Sequence, residues 1–145
     1  MKKEIGETSY KETAFGIIPR SKLIPLEIEG TKRAWDFVID QLKSAIEGLS
    51  VRDLNNLVVA YEPVWAIGSG LSDTPDNAMS MAILIKKTIS NKFSKKRPIK
   101  VKVLYGGSVN HENAHKFLKQ ESIDGALVGR ASLDPKSFAE IVKSF

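Results

Sequence analysis

The 145-residue chain has 42% hydrophobic, 27% charged and 8% aromatic residues, enough apolar material for one domain's core and too much for intrinsic disorder. It is too short to close a (β/α)8 barrel, which takes about 250 residues. Cysteine is absent, which excludes disulfides, zinc–thiolate centres and thiol nucleophiles and suits a cytoplasmic location.

The net charge is +5, and much of the excess lies in one stretch: Lys86, Lys87, Lys92, Lys95, Lys96, Arg97, Lys100 and Lys102. No aromatic stacking pattern interleaves these charges, and no nucleic-acid-binding signature accompanies them. The stretch therefore reads as a solvated helix end and loop, and nucleic acid is not expected as a partner. No apolar run approaches the roughly 18 residues of a membrane helix. Met1-Lys2-Lys3-Glu4 has no apolar core behind it, so neither a membrane partner nor a signal peptide is expected.

In chain order, Ala14 to Gly30 carries Gly16, Pro19, Pro25 and Gly30 among scattered apolar residues and reads as a loop or extended excursion. A helix follows, with Thr31 able to cap it, Trp35, Val38, Ile39, Leu42, Ala45 and Ile46 at helical spacing, and Gly48 to end it. Leu57 to Tyr61 is a short β-rich run without alternation, as expected of a strand buried on both faces. Thr74-Pro75 opens the next helix, whose core stripe is Ala78, Met81, Ala82, Ile85 and Ile89. Val101 to Tyr105 is a second strand. Asn110 is set to cap a helix through Ala114, Phe117 and Leu118. Gly125 to Gly129 is a third strand, and Asp134-Pro135 opens a last helix through Phe138, Ile141 and Val142. Strands alternating with helices imply βαβ units and a parallel sheet, in an α/β fold.

Functional groups in such folds gather at the carboxyl ends of the strands. Glu62 stands at the first such end, where a general base could act, although a lone strand-end glutamate is more often structural. Pro63 stiffens the exit, and Gly68 and Gly70 permit backbone excursions, a combination that suits a hinged cover. After the second strand, Gly106, Gly107 and Ser108 offer backbone N–H groups and a hydroxyl to an anion. After the third, Gly129 and Arg130 lead into a possible short helix. Each glycine turn alone is a weak signal; together they are more specific. His111 and His115 read as surface or helix-start residues.

Taken together, these segments resemble triosephosphate isomerases. The resemblance rests on Ala60-Tyr61-Glu62-Pro63-Val64-Trp65-Ala66-Ile67-Gly68-Ser69-Gly70, on Leu104-Tyr105-Gly106-Gly107-Ser108-Val109, and on Asp124-Gly125-Ala126-Leu127-Val128-Gly129-Arg130-Ala131-Ser132-Leu133. Weaker similarity begins near Ile5-Gly6-Glu7-Thr8. It implies that residues 1–145 are one partial domain, the C-terminal half of a TIM (β/α)8 barrel from a glycolytic and gluconeogenic isomerase. That enzyme interconverts dihydroxyacetone phosphate and glyceraldehyde 3-phosphate without cofactor or metal, and is itself a standard example of base tuning and lid closure.

The resemblance makes Glu62 the base. It makes the backbone of Gly68, Ser108, Gly129 and Arg130, with the Ser108 hydroxyl, the phosphate grip. Residues from Pro63 to about Ser72 become the lid, with Trp65, Ile67, Ser69 and Gly70 inside it, and Tyr105 and Ser108 become its latch. Glu7 becomes the carboxylate beneath Trp65. Departures from the family pattern are Arg130 in place of a second glycine, Leu71-Ser72-Asp73 at the lid's exit, and Glu4 in place of a cysteine. The family's phosphate-binding lysine and histidine electrophile belong to the preceding half. The chain alone is therefore expected to be inactive, and to pair with the missing N-terminal half or with a second copy. A non-catalytic half-barrel that binds phosphates or a partner is the alternative, and a different phosphate-handling barrel enzyme is a third reading.

Overall fold

The computed structural model describes residues 30–93 and 101–145. The expectations for Met1-Lys2-Lys3-Glu4, Glu7, the excursion from Ala14 and the Lys95–Lys100 charges lie outside these residues.

Helix α1 (Gly30–Ala45) presents Val38, Leu42 and Ile46, one residue per turn, to the core. It begins at Gly30, so Thr31 lies in its first turn instead of capping it. Trp35 continues the stripe but remains 38% exposed. Gly48, at φ +79°, ends the helical region. Ser50 then donates its N–H and its hydroxyl to Asp53 Oδ2, each at 2.7 Å. This fixes a short 3-10 turn that drops Leu54 into the core.

Strand β1 (Val58–Tyr61) is followed by helix α2 (Pro75–Phe93), strand β2 (Lys102–Tyr105), helix α3 (Ala114–Leu118), strand β3 (Gly125–Ala126) and helix α4 (Pro135–Val142). All five residues of the stripe on α2 are buried. Thr74 caps this helix by accepting from the Asn77 N–H. Asn110 organises the approach to α3 by accepting from the N–H groups of Glu112 and Asn113. The helix itself starts four residues later, with Asn113 at its N-cap position. Asp134 caps α4 through the Lys136 N–H.

The three strands are parallel in the order β1-β2-β3, with Tyr61 opposite Tyr105 and Tyr105 opposite Ala126. Side chains alternate across a sheet. Val59, Tyr61, Val103 and Tyr105 therefore share one face, and Val58, Ala60, Glu62, Leu104 and Gly106 share the other. Helices cover the first face, where Val59, Val103 and Tyr105 join Ile85, Ile89, Phe117, Ile123 and Ile141 in the core.

The second face carries no such layer among the described residues. For that reason β1 is not buried on both sides, and Val58 is 44% exposed. β3 is shorter than the run from Gly125 to Gly129 suggests. Leu127 donates to Tyr105 O at 2.9 Å, where β2 ends, and beyond it the N–H groups of Gly106 and Ser108 bond to Tyr61 O and Ala66 O. Asp124 secures the entry to β3: its N–H donates to Val103 O, its carboxylate accepts from the Val103 N–H, and Lys86 pairs with it at 2.7 Å.

Phe117 stacks on the Tyr105 ring at 4.0 Å between centroids and 11° between planes. Both residues are 1% exposed. Phe117→Ala leaves a cavity that a sheet and two helices cannot close, and is expected to cost about 3–5 kcal/mol. Urea unfolding of the full chain measures this.

Candidate active site

Glu62 follows the last residue of β1 on the sheet's uncovered face. It is half-buried, and its side chain lies over the backbone of β2. A Cβ at Gly106 would stand 2.6 Å from Glu62 Cγ and 3.2 Å from Oε1. Glycine at 106 thus makes the space in which the carboxylate rests, and the Gly106 N–H donates to Tyr61 O at 2.9 Å to hold the two strand ends together. Burial raises the Glu62 carboxyl above the ordinary glutamate range. No hydrogen bond or ion pair to the Glu62 carboxylate offsets this among the described residues.

The chain leaves Glu62 through Pro63, which is fully buried, and a 3-10 turn over Val64–Ala66. Trp65 is half-buried and Ile67 is 38% exposed. Gly68 and Gly70 have φ +66° and +80°, a region in which L side chains are strained. Between them Ser69 donates its hydroxyl to Trp65 O at 2.8 Å and accepts from the Leu71 N–H at 3.1 Å. The tip is a self-bonded turn exposed to solvent.

Both ends of this turn are fastened to the end of β2. At its root, Ala66 O accepts from the Ser108 N–H at 3.0 Å and from the Ser108 hydroxyl at 2.6 Å. At its exit, the Asp73 N–H donates to the Tyr105 hydroxyl at 2.8 Å. Gly107 leaves room for that hydroxyl, because a Cβ there would collide with it. The Tyr105 phenol is pushed up to about 12, first by burial, against the lowering influence of the Asp73 N–H.

The structure therefore brings Glu62, Pro63, Ser108 and Tyr105 to adjoining strand ends, with Trp65, Ile67, Gly68, Ser69 and Gly70 in the turn between. Gly129 and Arg130 lie apart, in an exposed turn after β3 where Ser132 N–H and hydroxyl both bond to Gly129 O. Among the described residues no hydrogen bond joins either of them to Gly68 or Ser108. Both donors of Ser108 are taken by Ala66, so an anion at Ser108 has to displace that carbonyl. Glu7 lies outside the described residues.

The site also holds a residue that the strand-end reading did not assign. Asp73 is the buried charged residue of this region, 6% exposed. In the sequence Asp73 stands out only as part of the unusual Leu71-Ser72-Asp73 exit, just ahead of the Thr74-Pro75 helix start, with no role assigned to its carboxylate. His111 approaches Ser137 Oγ at 3.3 Å on the surface, and His115 is half-buried on α3. No cluster of metal-ligating side chains occurs among the described residues, and none of their helices is long and apolar enough to cross a membrane.

Burial makes Glu62 hold its proton to higher pH in the folded chain than in the unfolded one. The associated stability is complete below the ordinary glutamate range and declines as pH rises through the raised native value. Glu62→Gln removes this decline. Between about pH 4 and pH 7 the variant is expected to lose less stability than the parent, read as the difference between their urea midpoints. A parent that gains on the variant with rising pH would show instead that the ionised carboxylate is the favoured form.

A sequence model of triosephosphate isomerase matches residues 25–145. The chain is 43% identical over 129 residues to the triosephosphate isomerase of Dictyoglomus thermophilum, covering 84% of this chain and 52% of that protein. It is 49% identical over 105 residues to that of Aquifex aeolicus, covering 72% and 42%. It is 39% identical over 117 residues to that of Lactobacillus helveticus, covering 81% and 46%. The chain thus spans about half the length of these relatives. Its alternating parallel strands and helices in an open sheet are those of part of a (β/α) barrel, and the chain belongs to the triosephosphate isomerase family.

Proposed function

We propose that residues 1–145 form one partial-barrel domain, the catalytic C-terminal half of a triosephosphate isomerase acting together with a complementary N-terminal half. The observation that carries this reading is the placement of Glu62: a half-buried carboxylate without a hydrogen-bond partner among the described residues, on the open face of the sheet and directly followed by a turn fastened at both ends. In the reaction Glu62 takes a proton from the carbon beside the substrate carbonyl. The electron pair passes to that carbonyl as an enediolate, and Glu62 returns the proton to the neighbouring carbon. The substrates are dihydroxyacetone phosphate and glyceraldehyde 3-phosphate.

Residues 63–72 serve as the lid. An enediolate phosphate eliminates phosphate readily in water, so a cover that excludes water protects the intermediate. The phosphate is held by N–H groups at Gly68, Ser108, Gly129 and Arg130 and by the Ser108 hydroxyl. The Ser108 donors change partner from Ala66 O to the phosphate as ligand enters. Without the preceding half the electrophile is missing, and the chain binds but does not turn over. When an N-terminal half is supplied, Glu62→Gln is expected to lower isomerisation by about two to four orders of magnitude. Affinity for inorganic phosphate is expected to survive. Unchanged turnover would remove Glu62 from the role of base.

The sheet face that no described residue covers and the edge of β3 that no described strand pairs with are where the preceding half belongs. Apolar side chains cluster nearby on and beside α4: Leu133 is 82%, Val142 53% and Phe145 72% exposed. An open edge and exposed apolar surface favour association. Without the other half the chain is expected to pair with a second copy in light scattering, and the added half to displace that copy. A monomer with a sharp, concentration-independent unfolding transition would contradict this.

A further inference from the structure

Asp73 lies where the turn that follows Glu62 meets α2, and its bonds run in three directions. Its Oδ2 accepts from the Tyr61 hydroxyl at 3.2 Å, the residue immediately before Glu62 on β1. Its Oδ1 accepts from the Thr74 N–H at 2.7 Å and from Asn77 Nδ2 at 3.3 Å, at the start of α2. Its own N–H donates to the Tyr105 hydroxyl on β2. One residue thus joins both strands that flank Glu62 to the helix that follows the turn. The two phenol rings lie 6.4 Å apart, tilted by 49°, with Asp73 bonded to both hydroxyls.

A buried carboxylate is costly unless its oxygens are satisfied. Here both oxygens are satisfied by groups that belong to the exit of the turn or to β1. Main-chain bonding to Tyr105 is available to any residue at this position. The bond from Tyr61 and the bond from Asn77 need the carboxylate. The rest of the exit, Leu71-Ser72, is tied within the turn by the Leu71 N–H to the Ser69 hydroxyl, a bond that does not reach the sheet or α2, and Leu71 is 65% exposed.

We propose that Asp73 is a positioning residue: its carboxylate clamps the exit of the 63–72 turn to Tyr61, fixing where the turn comes to rest over Glu62. This rests on the reading of that turn as a lid over the base. Removing the carboxylate frees the exit while leaving the sheet and α2 in place. Asparagine at the same position keeps an oxygen for Thr74 and Asn77, and its amide can donate to the Tyr61 oxygen. The shape of the clamp is thereby retained without its charge.

Amide hydrogen exchange on the full chain tests this, comparing the parent with Asp73→Ala, Asp73→Asn and Tyr61→Phe. Asp73→Ala and Tyr61→Phe are expected to speed exchange at residues 71–73 by about tenfold, roughly one lost hydrogen bond's effect. Ala78, whose N–H donates to Thr74 O in the first turn of α2, should be unchanged. Asp73→Asn should restore the parent's rate to within about threefold. Faster exchange at Ala78 in step with residue 73 would reduce Asp73 to a helix-capping residue and overturn the proposal. An unaltered rate at residue 73 in Asp73→Ala or in Tyr61→Phe would overturn it as well.

Inorganic phosphate separates this result from the lid reading. Slower exchange at Gly68 on adding phosphate to the parent supports an anion-binding cover. If phosphate changes nothing, the cover reading fails, and the clamp is then judged by the variants alone.

Discussion

The phenol of Tyr105 takes part in two structures at once. Its ring is stacked on Phe117 deep in the core, and its hydroxyl receives the Asp73 N–H at the exit of the turn that follows Glu62. A rigid ring links those two contacts, so the depth at which the core seats Tyr105 sets the height at which the turn is held. Gly107 admits the hydroxyl, and Gly106 beside it admits Glu62. Three consecutive residues at and just after β2's end, Tyr105-Gly106-Gly107, therefore define where Glu62 and the turn that follows it are held. Neither Glu62 nor the turn that follows it carries enough contacts of its own to do so.

Much of this was legible in the sequence. The stripe on α2 is the clearest case, because five small or apolar residues at helical spacing fit only one side of a helix, and all five are buried. Thr74 before Pro75 marked the start of that helix, and its hydroxyl caps it. The strand-end positions of Glu62 and Ser108 followed from the parallel alternation of elements. The strand readings that differ share a cause. The apolar run Leu57 to Tyr61 predicts a strand buried on both faces, and Gly125 to Gly129 predicts a strand of five residues. Val58 is exposed and β3 stops at Ala126 because burial and pairing depend on neighbours, and a run of residues does not announce which neighbours it has. Asp73 was hidden for another reason. An aspartate before Thr-Pro looks like ordinary helix-start chemistry, and only the fold brings Tyr61 and Tyr105 to meet it.

The uncovered face of the sheet explains why the site looks half-finished and yet orderly. The helix-covered face is packed and self-sufficient, and the clamps on the turn draw on that face through Tyr61 and Tyr105. The opposite face presents Glu62 at its carboxyl end and Lys102 at its other end, with Ala60 and Leu104 between them. Parallel sheets normally have both faces covered. The pattern here is of one layer left open among the described residues, with a half-buried carboxylate at its carboxyl end.

Two kinds of glycine frame the site, and they restrict the chain's freedom to drift in different ways. Gly68 and Gly70 have open space around their α-carbons but a left-handed backbone. Asparagine and aspartate visit that region more readily than other side chains, so these two positions have a graded set of neutral neighbours in sequence space. Gly106 and Gly107 have no positive φ but no room either, since even a methyl group would meet Glu62 or the Tyr105 hydroxyl. They have no near neighbours at all. A copy of this gene relieved of selection would first vary at the tip of the turn, and a change at 106 or 107 would record that the seat of Glu62 or of the Tyr105 hydroxyl had been given up.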